Sequence, residues 1–474
     1  MSPALHARKW FVLAGLVLTF PGLLWSQTNG LLGGDVSLSG PLNSDQTFPS
    51  AAFGPNGGFF VWQDAITDPS GLGISAQRLS AAQVPEGEVI HVNQTLGRDQ
   101  SRARVSMLND GGAAVVYQSG KSGAQNVLAR FLTVAGGFAT GELLINNPAF
   151  AVTNRYTTNW TLVRNNRPRN QKYQIRELVR AREDFNANPV VATLNDGSVV
   201  VAYASSRVYT TNTHGLSETL RWDDRRSLFI TNRVRVPLNI RVDALQDVYL
   251  QRLTAAGQKI GDETRVNQRV SFNQRDPALA ALDNGNFVLV WVSEQQRFEN
   301  SIDVYARIFD GLGNPLGHEF LVNTTNRPCG APSVAKTSAG GFTIAWSERQ
   351  RDRNSGLDIL ARTFDANGAA ASPAFPVNTT TYGDQTAPSV ASVGSQQVMV
   401  WMSMGQDGSF GGIYGRAFNG STPLGNEFRV NVSTPFNQMH PGLASDSTGR
   451  TLVFWSGYAL QSGFDIFGRW YMTP

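Results

Sequence analysis

Within eighteen consecutive residues the chain places Tyr209, His214, Arg221, Arg225 and Arg226. A phenol or imidazole that accepts a proton, beside guanidiniums that neutralise a carboxylate, is the set of groups that elimination at a uronate sugar requires. The residue types suit that chemistry, but no motif governs their spacing. Asp223 and Asp224 are neighbours in sequence and are expected to pair with Arg225 and Arg226. They do not form the two facing carboxylates that glycoside hydrolysis needs. The five histidines, His6, His91, His214, His318 and His440, fall in different segments without ligand spacing. No phosphate-cradling glycine loop, nucleophile elbow or Cys-His pair is present, so neither a metal nor an organic cofactor is expected.

The same arginines read as a binding surface. Residues 148–187 carry seven Arg and one Lys against three acids, and residues 205–246 carry seven Arg against four acids, for nets of +5 and +3. The whole chain is only +4, so the remainder is net −4 and the basic charge is local. A ratio of fourteen Arg to one Lys favours forked recognition of carboxylate, sulfate or phosphate over plain solvation. Interleaved aromatics add stacking faces. The expected ligand contacts are Arg167, Arg169, Arg221, Arg225 and Arg226 with Trp160 and Trp222. A structural reading stands beside this one. In it the arginines pair with local acids, and residues 171–183 form a short amphipathic helix burying Tyr173, Ile175, Leu178 and Val179.

What carries these residues is a repeat. Trp62, Tyr117, Tyr203, Trp291, Trp346, Trp401 and Trp455 each end a short apolar run, and an arginine follows in a second run: Arg78, Arg130, Arg252, Arg307, Arg362, Arg416 and Arg469. From Trp291 the aromatics are 55, 55 and 54 residues apart, and Trp62 to Tyr117 is again 55. A fixed period of this size marks a repeat architecture. In residues 331–385, strands over 332–335, 342–346, 358–364 and 375–378 are separated by turns at 338–341 and 365–368 and by a polar loop. Four antiparallel strands in such a unit match one blade of a β-propeller. Filled at equivalent positions in every unit, the aromatics are expected to pack between blades and the arginines to bridge sheets or cap carbonyls.

The last unit stops after its third strand, whereas residues 35–49 match the end of one unit and the start of the next, 377–388. The N-terminal strand is therefore expected to complete the last blade, giving an all-β, seven-bladed propeller without open sheet edges. Two aromatic spacings, 86 and 88 residues, are anomalous. They locate insertions at about 148–187 and 205–246, before and within the third blade. Strand alternation puts both on one face, where they are expected to touch and form a basic lobe.

The run Trp291-Val292-Ser293, Asp303-Val304-Tyr305-Ala306-Arg307, Gly317-His318-Glu319-Phe320 and Val322-Asn323-Thr324 resembles the secreted bacterial seven-bladed β-propeller repeat proteins. The resemblance covers residues 33–474. It implies a propeller and export and carries no assigned chemistry. The Ser-x-Asp-x-Gly-x-Thr-Trp box of sialidase type, the Gly-His and Trp-Asp pair of WD40 repeats and the integrin-like calcium loop are all missing.

Residues 1–26 read as a signal peptide. His6, Arg8 and Lys9 precede an apolar stretch broken by Pro21, and Ser26 supplies a small residue for cleavage. The expected mature chain, residues 27–474, has no membrane span. Its only cysteine, Cys329, excludes an intrachain disulfide. The modest net charge does not favour nucleic acid. Together these features lead us to expect an exported monomer, secreted, periplasmic or at the cell surface, that recognises an anionic polysaccharide or cell-surface protein without catalysis. Two alternatives remain. One is a uronate-directed polysaccharide lyase using Tyr209 or His214 as base and Arg221 as charge partner; the other is a structural cell-envelope protein.

Overall fold

The second strand of each unit is a continuous apolar run, as in Phe287–Glu294 and Phe342–Arg349, where the first seven residues of each are buried. A strand buried on both faces needs no polar alternation, and this one is sandwiched between neighbouring blades. The computed structural model describes residues 30–472 apart from 41, 43, 122–123, 148–170, 173–184, 224, 227, 351–355 and 447. For 124, 171–172, 207–222 and 228–244 it describes the backbone alone. All regular elements among the described residues are strands.

They form seven antiparallel sheets. The innermost strands are Gln46–Gly54, Gln100–Met107, Phe185–Thr193, Gln274–Ala281, Cys329–Lys336, Gln385–Val393 and Gln438–Ser445, defining blades 1 to 7. Each packs beside those of both neighbouring blades, blade 7 against blade 1 included. The result is a seven-bladed propeller. Leu31–Ser37 pairs with Gly463–Met472 as the outermost strand of blade 7, so the ring is closed as expected.

Seven apolar clusters fill the seven blade interfaces, the last joining Leu38, Phe60 and Trp62 to Leu452, Phe454 and Ile466. The recurrent aromatics lie in these clusters, each at most 1 % exposed. The recurrent arginines are architectural too. Arg130, Arg307, Arg362, Arg416 and Arg469 each donate across a blade boundary to a backbone carbonyl, those of Val92, Val266, Val322, Val377 and Val430. Arg78 departs from this and pairs with Glu86; Arg252 pairs with Asp196 and crosses the opposite boundary, to the carbonyl of Leu312 on blade 4.

The Val-Asn pair that follows the fourth strand in five blades has a role as well. Asn93, Asn323 and Asn378 are buried, accept from the amides of Ile74, Val304 and Ile359, and donate to the carbonyls of Thr95, Thr325 and Thr380. These Asn-x-Thr triplets are turn elements.

An acid from the next blade caps the chain after the turns at Asn93 and Asn378. Glu427 accepts from the amides of Thr379 (2.7 Å) and Thr380 (3.4 Å) and from Gln406 (2.7 Å). Burial would raise its pKa, but these hydrogen bonds outweigh burial and hold the carboxyl below the usual Glu range. Glu142 is held low in the same way through Thr95, Tyr117 and Gln94. A carboxyl with a depressed folded-state pKa contributes stability above its unfolded pKa and loses it as pH falls through the folded value. Thermal midpoints are therefore expected to fall on acidification below about pH 4.5. Glu427→Gln should flatten that fall and cost about 1–2 kcal/mol at pH 7, measured by calorimetry across a pH series.

The insertions depart from the sequence expectation in form. Val199–Asp223 and Leu228–Leu253 are the second and third strands of blade 3, prolonged into a two-stranded arm paired to its tip. Gln171 and Lys172, expected to open a helix, form a short strand paired with Leu220 and Thr219 near that tip. The helix reading for 173–183, the signal peptide, and Trp160, Arg167 and Arg169 lie outside the described residues. Among the described residues no helix is long and apolar enough to cross a membrane.

Candidate functional site

Every innermost strand bulges at the same place. In blade 1 the register skips between Thr47 and Ser50, in blade 7 between Met439 and Gly442, and likewise in the five others. At each skip one non-glycine residue adopts a left-handed backbone: Phe48, Arg102, Asn188, Asp276, Ala331, Ala387 and His440, with φ of 48–58°. L-residues seldom take this conformation, and a bulge re-aims a side chain. Here all seven side chains turn onto the central channel and line one cavity of about 340 Å³ at its mouth. Proline follows in every blade but the second, where Ala103 stands instead. The bulge frees that position from the ladder, which lets proline occupy an inner strand.

The frame is sevenfold; the chemistry is not. On blades 7, 1 and 2, the His440 and Phe48 rings lie 3.7 Å apart and the Arg102 guanidinium lies 3.9 Å from the Phe48 ring. Arg104, one turn of the pleat further along, adds a second guanidinium to the cavity wall. On blades 3 and 4, Asn188 donates to Asp276 (2.8 Å), which also pairs with Arg275, itself bound to Glu294. Blades 5 and 6 contribute only the methyls of Ala331 and Ala387 beside prolines.

The cationic sector has no carboxylate of the described residues in contact, and only Asp276, across the cavity, acts on Arg102 electrostatically. Among the described residues neither Arg102 nor Arg104 forms an ion pair. Burial, and then Arg102, lower the Arg104 guanidinium to about 10. Burial, Arg102 and Arg104 push the His440 imidazole down to about 4, so it is neutral at pH 7. Its Nδ1 is buried without a hydrogen-bond partner among the described residues.

The arm leaves blade 3 at this same end of the channel. Ser205 pairs with Asn186, two residues before Asn188, and beyond Val208 the two strands pair only with each other and with Gln171–Lys172. Seventeen residues separate Ser206 from Asp223, about 55 Å of strand at ~3.3 Å per residue. Arg221 and Trp222 pair with Ile230 and Phe229 near the tip. In the tip turn, Asp223 accepts from the amides of Arg225 (2.9 Å) and Arg226 (3.4 Å), and both arginines are exposed. The Arg226 guanidinium reaches Asp223 only at 4.0 Å. Tyr209 and His214 pair with Val242 and Pro237, twelve and seven residues before Arg221 on one extended strand. Those separations amount to about 40 and 23 Å, so the backbone does not bring this base and charge partner together.

The channel ring was missed in sequence. Its signal was there: a proline recurs in the first strand of six units, and the residue before it changes chemistry around the ring, from Phe48 to Asp276 to His440. Among the described residues no group of three or more His, Cys, Asp or Glu is placed to hold a metal ion.

A scan against protein families matches none, and a search of curated proteins returns none. Solved structures do match. A protein of unknown function from Dyadobacter fermentans aligns with TM-score 0.49 at 11 % identity, over 81 % of this chain and 97 % of its own. An α-L-arabinanase of Penicillium chrysogenum, solved with arabinobiose, gives 0.46 at 10 % identity, over 93 % and 98 %. The NanB sialidase of Streptococcus pneumoniae gives 0.47 at 6 % identity, over 87 % and 83 %. Likenesses this distant carry no argument about chemistry.

Proposed function

We propose that this protein is an exported binding module that recognises an anionic extracellular glycan through its basic arm, without catalysis. The carrying observation is the arm tip. Arg225 and Arg226 are both exposed in the tip turn, and the one ion pair found there among the described residues, Arg226 with Asp223, is long at 4.0 Å. Arginine held this way suits forked contact with carboxylate or sulfate, and Trp222 adds an aromatic face. Arg167, Arg169 and Trp160 belong to the same proposal through the first insertion, whose Gln171–Lys172 strand joins the arm. Binding of this kind relies on charge and should weaken with salt.

The test is binding of residues 27–474 to sulfated and uronate-rich polysaccharides over a salt series, against a variant whose arm is cut to a short turn after Ser205. Salt-sensitive binding that is lost in the folded variant is expected. Equal binding by both chains, or none by either, overturns the reading. Release of unsaturated uronide products would establish a lyase instead.

A further inference from the structure

We propose that the channel mouth is a second ligand site, independent of the arm, which binds a single sugar acid by its carboxylate. Arg102 and Arg104 present two guanidiniums to one cavity, and no carboxylate of the described protein pairs with them. Like charges gathered at a partly buried wall destabilise the empty fold and favour an incoming anion.

The anion is a monocarboxylate with hydroxyls because the ring is polarised. Asp276 lines the same cavity two blades round the ring from the arginines, acts electrostatically on Arg102, and disfavours a dianion. It is already charge-compensated by Arg275, so it does not call for a ligand cation. Each Asp276 oxygen takes one donor in the structure, Asn188 on Oδ1 and Arg275 on Oδ2. An ionised carboxylate has about four acceptor sites, which leaves capacity for sugar hydroxyls. The methyl and proline sector of blades 5 and 6 is open and apolar, matching the C–H face of a pyranose. A volume of about 340 Å³ lies at the small end of ligand pockets, fitting one or two sugar units.

The test is calorimetric titration of the full chain with galacturonate and glucuronate, alongside galactose, glutamate and sulfate. Saturable binding of a uronate, with neutral galactose at least about tenfold weaker, is expected. Arg104→Gln should weaken uronate binding about tenfold or more. Its thermal midpoint should equal or exceed that of the parent, because one of two repelling charges is removed. Ala387→Asn tests the site without touching a charge: asparagine tolerates the left-handed backbone and fills the open sector. Arg225→Gln with Arg226→Gln, which removes the arm-tip charges, should leave uronate binding unchanged while weakening polysaccharide binding. Failure of the arm reading and failure of this one are thereby separated. No uronate binding, binding untouched by both Arg104→Gln and Ala387→Asn, or preference for glutamate or sulfate overturns the proposal.

Discussion

A chain beginning at Gly40 should lose on the order of 5 kcal/mol of stability, enough to consume much of the roughly 5–15 kcal/mol that holds a folded domain together. Leu31–Ser37 is the outermost strand of blade 7, and its removal leaves the edge of Gly463–Met472 unpaired. Leu38, 2 % exposed, sits in the cluster that joins blade 7 to blade 1. Asp35 caps the amides of Val432 and Ser433 on blade 6. One short segment thus ties three consecutive blades, and a ring opened there also gains an exposed edge prone to association. A lowered and broadened thermal transition, with aggregation, is the expected calorimetric result. A peptide spanning residues 30–40, added in trans, should dock as the missing strand and restore much of the midpoint. An unchanged midpoint in the shortened chain would show that the ring holds without this strand.

Trp346→Ala should cost about 3–5 kcal/mol. Trp346 is fully buried in the cluster between blades 4 and 5, against residues such as Val288, Val290 and Ile344. Its Nε1 donates to Glu348 at 3.2 Å, and Glu348 is itself fully buried. Truncation therefore opens a large cavity and withdraws a donor from a buried carboxylate, two penalties that act together. Trp346→Phe keeps most of the volume and loses the donor, so it should fall well short of the alanine variant in urea denaturation. Equal effects from both would assign the cost to the Trp346–Glu348 hydrogen bond alone.

Most of the scaffold was legible because its determinants are local. An apolar run ending in an aromatic, a glycine turn and an Arg-bearing strand each specify their own few residues, and repetition every 55 residues or so supplied the count. Closure was legible for the same reason, as residues 35–49 carry the same local pattern as 377–388. The arm was half legible. Its charge appeared in the sequence, but the β-branched alternation of Val208, Thr210, Val234 and Val236 belongs to prolonged strands rather than to a lobe. The contacts proposed on the arm still await the binding test.

The amino-acid sequence by itself determined seven blades and their closure by the N-terminal strand, because strand patterning and turn chemistry act over a few residues. Only the tertiary structure decided that Phe48, Arg102, Asp276 and His440 share one cavity. Each belongs to a different blade, tens or hundreds of residues from the next. Nothing local joins them until ring closure sets the innermost strands around one axis and the bulge turns each side chain inward.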